Sequence, residues 1–209
     1  MAVGETIVRE YFELHGFFVR QQRKSYNPNR RDEEEIDFYL VNPSSITTPN
    51  LSNSPEPQTA IPFVLRSSDI QKISRAVIVV RGWHTEVFNA STIMNMSEQI
   101  RFADPVVFNP IARAFGGTGP LHKILALSDL PQNEEARAQS IALLQGKGID
   151  AIITFPTMLT SLISAVEENR NYIRSDLLQT LRILKAYDLL KDTQMELFNT
   201  KRTRKAKAV

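Results

Sequence analysis

Residues 76–81 constrain the fold of this chain more than any other segment. Ala76-Val77-Ile78-Val79-Val80-Arg81 is a β-branched run with no polar break before Arg81, and Gly82 closes it. β-Branched side chains favour extended backbone, and a strand without polar alternation must be covered on both faces. A central strand with helices on either side meets that demand. The segment therefore predicts an α/β fold.

The flanking patterns fill in the rest. Ile7, Val8, Tyr11, Phe12 and Leu14 recur at helical spacing and predict a helix over 4–15, with Gly16 at the position of a C-terminal stop. Residues 17–22 predict a first strand. A polar stretch follows over 23–34, with Asn27-Pro28-Asn29 as a turn signal. Residues 35–41 alternate as a second strand, with Ile36, Phe38 and Leu40 on one face and Asp37 and Tyr39 on the other. Five prolines among Ser, Thr and Asn mark 42–62 as a mobile surface loop. A short helix is predicted over 68–74, helices over 91–102 and 109–115, a glycine loop over 116–120 and a strand over 123–127.

Asn133 is placed to cap a helix reaching 145, with Glu134 and Glu135 in its first turn. A strand over 149–155 and a helix opened by Pro156 come next. Ser175 caps a last helix carrying Leu177, Leu181 and Leu184 on one face. This reading gives a core over 1–130, a helix-strand-helix-helix extension over 131–195 packed on it, and a basic tail over 196–209.

Composition narrows the function classes. The 209 residues fit one domain with appendages. The absence of cysteine removes disulfide frameworks, thiolate metal sites and cysteine nucleophiles. Apolar runs such as 76–80 and 151–155 are too short to span a bilayer, and Met-Ala-Val-Gly-Glu carries no leader pattern. The expectation is a cytoplasmic protein without a membrane partner. The net charge of +2 says little by itself, but its distribution is uneven. Lys201, Arg202, Arg204, Lys205 and Lys207 crowd one end, and Arg20, Arg23, Lys24, Arg30 and Arg31 cluster near the other. Such clusters attract phosphate backbones, or are simply solvated.

Three places are candidates for chemistry. Asp37 is an acid on a strand, a hard oxygen ligand on a rigid element, or else the solvated face of an edge strand. Glu5 falls at the margin of the first helix's apolar stripe, where it points along the helix or merely complements the dipole. The third is the exit from the central strand, Val79-Val80-Arg81-Gly82-Trp83-His84-Thr85-Glu86, where Arg81, His84 and Glu86 can share one surface patch. His15 and His122 sit beside apolar positions and read as structural. Gly116-Gly117-Thr118-Gly119 lacks the Lys-Ser/Thr ending of a phosphate loop and precedes a strand, so it is read as a turn. No Gly-x-Ser-x-Gly or His-Glu-x-x-His motif occurs.

Taken in order, these features resemble the PD-(D/E)XK nuclease superfamily, particularly its Holliday-junction-resolvase and restriction-endonuclease-like branches. The resemblance lies in Gly4-Glu5-Thr6-Ile7-Val8, in Gly16-Phe17-Phe18-Val19, in Glu35-Ile36-Asp37-Phe38-Tyr39-Leu40-Val41 and in Val79-Val80-Arg81-Gly82. It implies an αβββαβ core, a mixed sheet flanked by helices, with a C-terminal α/β extension. It also implies Mg²⁺ held by the acid at Asp37 and by a glutamate at the position of Val79, with a lysine at the position of Arg81. Valine cannot ligate a metal, and arginine cannot give up a proton. Glu86 or Glu35 would have to replace the missing carboxylate.

Three functions are compatible with this reading. One is a restriction-endonuclease-like protein that binds DNA or RNA through Arg23, Lys24 and Arg81 with catalysis impaired or lost. Another is an active Mg²⁺-dependent nuclease with migrated ligands, using Glu5, Asp37, Arg81 and His84 for catalysis and Asp37 with Glu86 for the metal. The last is an interaction scaffold whose terminal helices form a homodimer.

Overall fold

In the computed structural model, which describes residues 3–22, 36–45, 61–82, 86–117 and 119–190, the apolar run becomes the middle strand of a five-stranded mixed sheet. This strand, β3 (Arg75–Arg81), is the third in chain order. It is preceded by β1 (Phe18–Gln21) and β2 (Phe38–Val41), and followed by β4 (Leu121–Leu127) and β5 (Ala151–Thr154). The spatial order is β1-β2-β3-β4-β5. β1, β2 and β3 pair antiparallel, whereas β3, β4 and β5 pair parallel. The parallel pairs require crossovers, and the chain supplies helices for them.

Both faces of β3 are covered, as its composition demands. On one side Val77 and Val79 pack with Leu125, Leu127 and Ile152 of the neighbouring strands. Over them lie α2 (Ala90–Asn95), a 3₁₀ turn (Glu98–Ala103), α3 (Pro105–Phe115) and α4 (Glu134–Gly146), which contribute Ile93, Phe102, Val107 and Leu144. The opposite face meets α1 (Val3–Leu14), whose Gly4 lies so close to Val80 and Phe155 that a methyl group there would come within 2.9 Å of the Phe155 ring. Gly16 closes α1 with a positive φ of 84°, as the stop signal predicts.

Two helical boundaries differ from the sequence reading. The segment read as one helix over 91–102 divides into α2 and the 3₁₀ turn, and α3 begins at Pro105 instead of at 109. Asp104 decides the second boundary: its carboxylate accepts from Val106 N–H at 2.8 Å, with Pro105 in the first turn. Pro110 sits inside α3. Asn133 caps α4 as predicted, accepting from Ala136 N–H at 3.0 Å.

The proline-rich segment lies largely outside the described residues, but both of its ends are built into the fold. Asn42 is buried, and its N–H donates to Ser74 C=O at 2.8 Å. Ile152 N–H donates to Phe63 C=O at 2.7 Å, and Leu65 N–H donates to Ile152 C=O at 2.9 Å, so residues 63–65 pair along β5. The predicted helix over 68–74 is a single 3₁₀ turn, Ile70–Lys72.

The chain divides into two compact units, Met1–Ser164 and Ala165–Val209. The first contains the whole sheet, together with most of α5 (Phe155–Ala165), into which β5 runs directly. In the second, Ser175 caps α6 (Asp176–Ala186) through Leu178 N–H at 3.2 Å, and Lys185 Nζ donates to Val166 C=O at 2.9 Å. Leu178 and Leu181 are the buried leucines of α6, one step round from the Leu177 stripe of the sequence reading. Among the described residues no helix is long and apolar enough to cross a membrane.

Two histidines in the first unit make stability depend on pH. His15 packs edge-on to Tyr11 with ring centroids 4.7 Å apart, and its Nε2 lies 3.1 Å from Ser161 Oγ. Burial lowers its pKa. Burial also lowers that of His122, partly offset by the Asp150 carboxylate. The unfolded chain protonates these rings near the ordinary value of about 6.5, while the folded chain resists. Their contribution is therefore intact above that value and is lost as pH falls through it towards the lower folded pKa values. Thermal melts should show Tm falling between about pH 7.5 and about pH 5.5, with a shallower fall in a His15→Gln/His122→Gln variant. An equal pH slope in both proteins would rule these histidines out as the cause.

Candidate functional site

The site forms where β2 begins. Gln22 N–H donates to Asp37 C=O at 2.9 Å, which holds Asp37 against the end of β1. Asp37 N–H donates to Ile78 C=O at 3.0 Å, yet Ile78 already faces Phe38 in register. Two successive residues thus oppose one, the pattern of a β-bulge. A bulge re-aims the side chains on either side of it. Ile36, read as sharing a face with Phe38 and Leu40, instead packs with Val77, Val79 and Tyr39 on the α3 side.

The bulge turns the Asp37 carboxylate towards β3. Asp37 Oδ2 accepts from Val80 N–H at 2.7 Å. Every second N–H of an antiparallel strand points to its neighbour, so the carboxylate takes the rung that a β2 carbonyl would otherwise fill. The same oxygen lies 3.1 Å from Arg81 Nη1. Arg81 is held in turn by two carbonyls, Val80 C=O at 2.8 Å from Nη1 and Gln99 C=O at 3.1 Å from Nε. Asp37 is 2% exposed and the Arg81 side chain 17%, so this is a largely buried, multiply bonded ion pair.

The remaining predicted residues are placed as follows. Glu5 accepts from Gln21 Nε2 at 2.9 Å, which ties α1 to β1 one residue before Gln22. Val79, at the position where the resemblance implies glutamate, is fully buried in the core. Glu86 is half-buried, and its carbonyl accepts from Ser128 Oγ. Among the described residues no three His, Cys, Asp or Glu side chains are grouped to hold a metal ion. Arg23, Lys24, Glu35 and His84 lie outside the described residues. The glycine loop after α3 turns the carbonyls of Gly116 and Gly119 to Arg75, the opposite polarity from a phosphate cradle.

Between the β1–β2 strands and α3 is a cleft that sequence reasoning missed. Arg20, Gln22 and Tyr39 from the strands and Pro110, Ile111, Ala114 and Phe115 from α3 enclose about 410 Å³. The rings of Tyr39 and Phe115 stack with centroids 5.3 Å apart and planes 20° from parallel. The Arg75 guanidinium lies over Phe115 at 5.7 Å. Arg20 and Tyr39 are register partners across β1 and β2, which brings an exposed cation beside the ring pair. The available signal was the placement of Arg20 and Tyr39 at alternating strand positions. Phe115 is too far away in sequence to be joined to them by period alone.

No family model, no curated protein and no solved structure matches the chain.

Proposed function

We propose that this chain is a nucleic-acid-binding protein built on a restriction-endonuclease-like core, in which the catalytic metal site has been replaced by an internal ion pair. The order α1-β1-β2-β3 followed by helices and then β4, and the mixed sheet, are compatible with the resemblance noted from the sequence. One observation carries the functional part: the Asp37 carboxylate oxygen that bonds Val80 N–H also faces the guanidinium of Arg81.

A divalent cation needs several oxygen ligands and accumulated negative charge. Among the described residues, those at Asp37 do not suit it. A fixed cation stands 3.1 Å away, and the neighbouring strand position is valine. The exposed Arg20 and the basic clusters around Arg23 and Lys24 and over 201–207 supply the charge for phosphate contacts.

The test pairs a binding titration with a cleavage assay, using labelled single-stranded and duplex DNA and RNA. Binding is expected at low salt, weakening by at least tenfold between about 50 mM and about 200 mM monovalent salt. Strands should remain intact in Mg²⁺ and in Mn²⁺. Cleavage by the unaltered protein, abolished by Asp37→Ala, would establish an active nuclease instead. No binding to any strand at low salt would leave an interaction scaffold.

A further inference from the structure

We infer that the Tyr39–Phe115 cleft is the contact surface for unpaired bases, which makes single-stranded nucleic acid the preferred partner. This inference rests on the nucleic-acid reading above and specifies it. The cleft is of ligand size, since pockets that enclose small organic groups span roughly 300–1,000 Å³. Its about 410 Å³ accommodates a nucleobase and part of its sugar. Its chemistry is split as a nucleotide's is. The stacked rings of Tyr39 and Phe115, with Ile111 and Pro110 beside them, offer an aromatic and apolar wall to a base. Arg20, exposed at the same cleft, offers a guanidinium to the adjoining phosphate.

Two features set this apart from an incidental hollow. Tyr39 and Phe115 come from different layers, a strand and a helix, and Arg75 over Phe115 anchors the helix end by donating to Gly116 and Gly119 carbonyls. The ring pair is therefore held in place before any ligand arrives, which limits the ordering cost of binding. The cleft also shares Gln22 with the bulge: Gln22 lines it, and Gln22 N–H donates to the Asp37 backbone carbonyl. Bases in a duplex keep their faces stacked on each other, so only an unpaired strand can offer one to this wall.

The test uses the full chain and two strands of about ten nucleotides, an oligothymidylate and a base-free oligomer of equal length and charge, with affinities measured by fluorescence anisotropy at matched salt. The base-free strand should bind roughly 5- to 150-fold more weakly, the range that base–aromatic stacking supplies. Tyr39→Leu, which retains an apolar side chain, should narrow that difference towards unity. Arg20→Glu should weaken both strands. If Tyr39→Leu fails a circular-dichroism check of folding, the comparison on the unaltered protein still decides whether bases matter. Equal affinity for the two strands would overturn the cleft inference while leaving phosphate-driven binding in place. A base preference undiminished in folded Tyr39→Leu would also overturn it, by locating the bases elsewhere. Failure of both strands to bind at low salt would overturn the nucleic-acid reading itself.

Discussion

Replacing Arg81 with methionine is expected to destabilise the protein by about 3–5 kcal/mol, the cost of stranding one partner of a buried ion pair. Methionine preserves much of the side-chain volume, so packing loss is minor. What changes is that the Asp37 carboxylate, 2% exposed, loses the cation beside the oxygen that Val80 N–H bonds. The reverse change is milder. In Asp37→Asn the amide oxygen still accepts from Val80 N–H, and Arg81 keeps the carbonyls of Val80 and Gln99. A loss of about 1–3 kcal/mol is expected there. The double variant should be more stable than Arg81→Met alone, because no buried carboxylate charge is left there. Chemical denaturation of the four proteins measures the coupling. An Arg81→Met variant within about 0.5 kcal/mol of the parent would show that the pair contributes nothing to the fold. The effect is large on the scale of a typical domain, whose total stability is about 5–15 kcal/mol.

The second large effect is expected at Gly82, immediately after Arg81. Its φ is +93°, a conformation that a residue with a Cβ adopts only at a cost of roughly 1–2 kcal/mol. A methyl group there would lie 2.6 Å from Phe88 Cε2 and 2.9 Å from Ser128 Oγ. Phe88 is a fully enclosed core ring and has little room to retreat, so overpacking adds about 1–3 kcal/mol. Gly82→Ala should therefore lose about 2–5 kcal/mol in all. Gly146, the last residue of α4, is the control. Nothing lies within 4 Å of the methyl position, and alanine there should be neutral or stabilising by up to about 1 kcal/mol. Similar denaturation midpoints for Gly82→Ala and the parent would mean that the chain after β3 relaxes without disturbing Phe88.

Gly82 also illustrates what local pattern conveys. Its glycine after a β-branched run signals a strand end, and the strand does end there. The Asn133 and Ser175 caps and the Gly16 stop were legible for the same reason, because each acts on backbone groups within a few residues. The subdivided helix over 91–102 was not. Its apolar residues satisfy helical spacing, but the Asp104–Pro105 start of α3 imposes a break just beyond it. Residues 63–65 follow directly on a proline-rich stretch whose composition reads as loop, and only the outer edge of β5 gives them a partner.

The candidate site divides in the same way. Asp37 and Arg81 stood out as chemistry-bearing residues at strand ends, but their relation did not. Alternation assigned Asp37 to the face opposite Ile36, whereas the bulge opposite Ile78 changed that assignment and aimed the carboxylate at β3. The sequence by itself determined the α/β character, the burial of residues 76–79 and the absence of cysteine chemistry, since these depend on composition and short-range period. Only the tertiary structure decided that Asp37 is neutralised by a residue 44 positions away, and that Tyr39 stacks on Phe115. Those contacts depend on strand register, a bulge and the docking of a helix, and none of these is encoded in spacing along the chain.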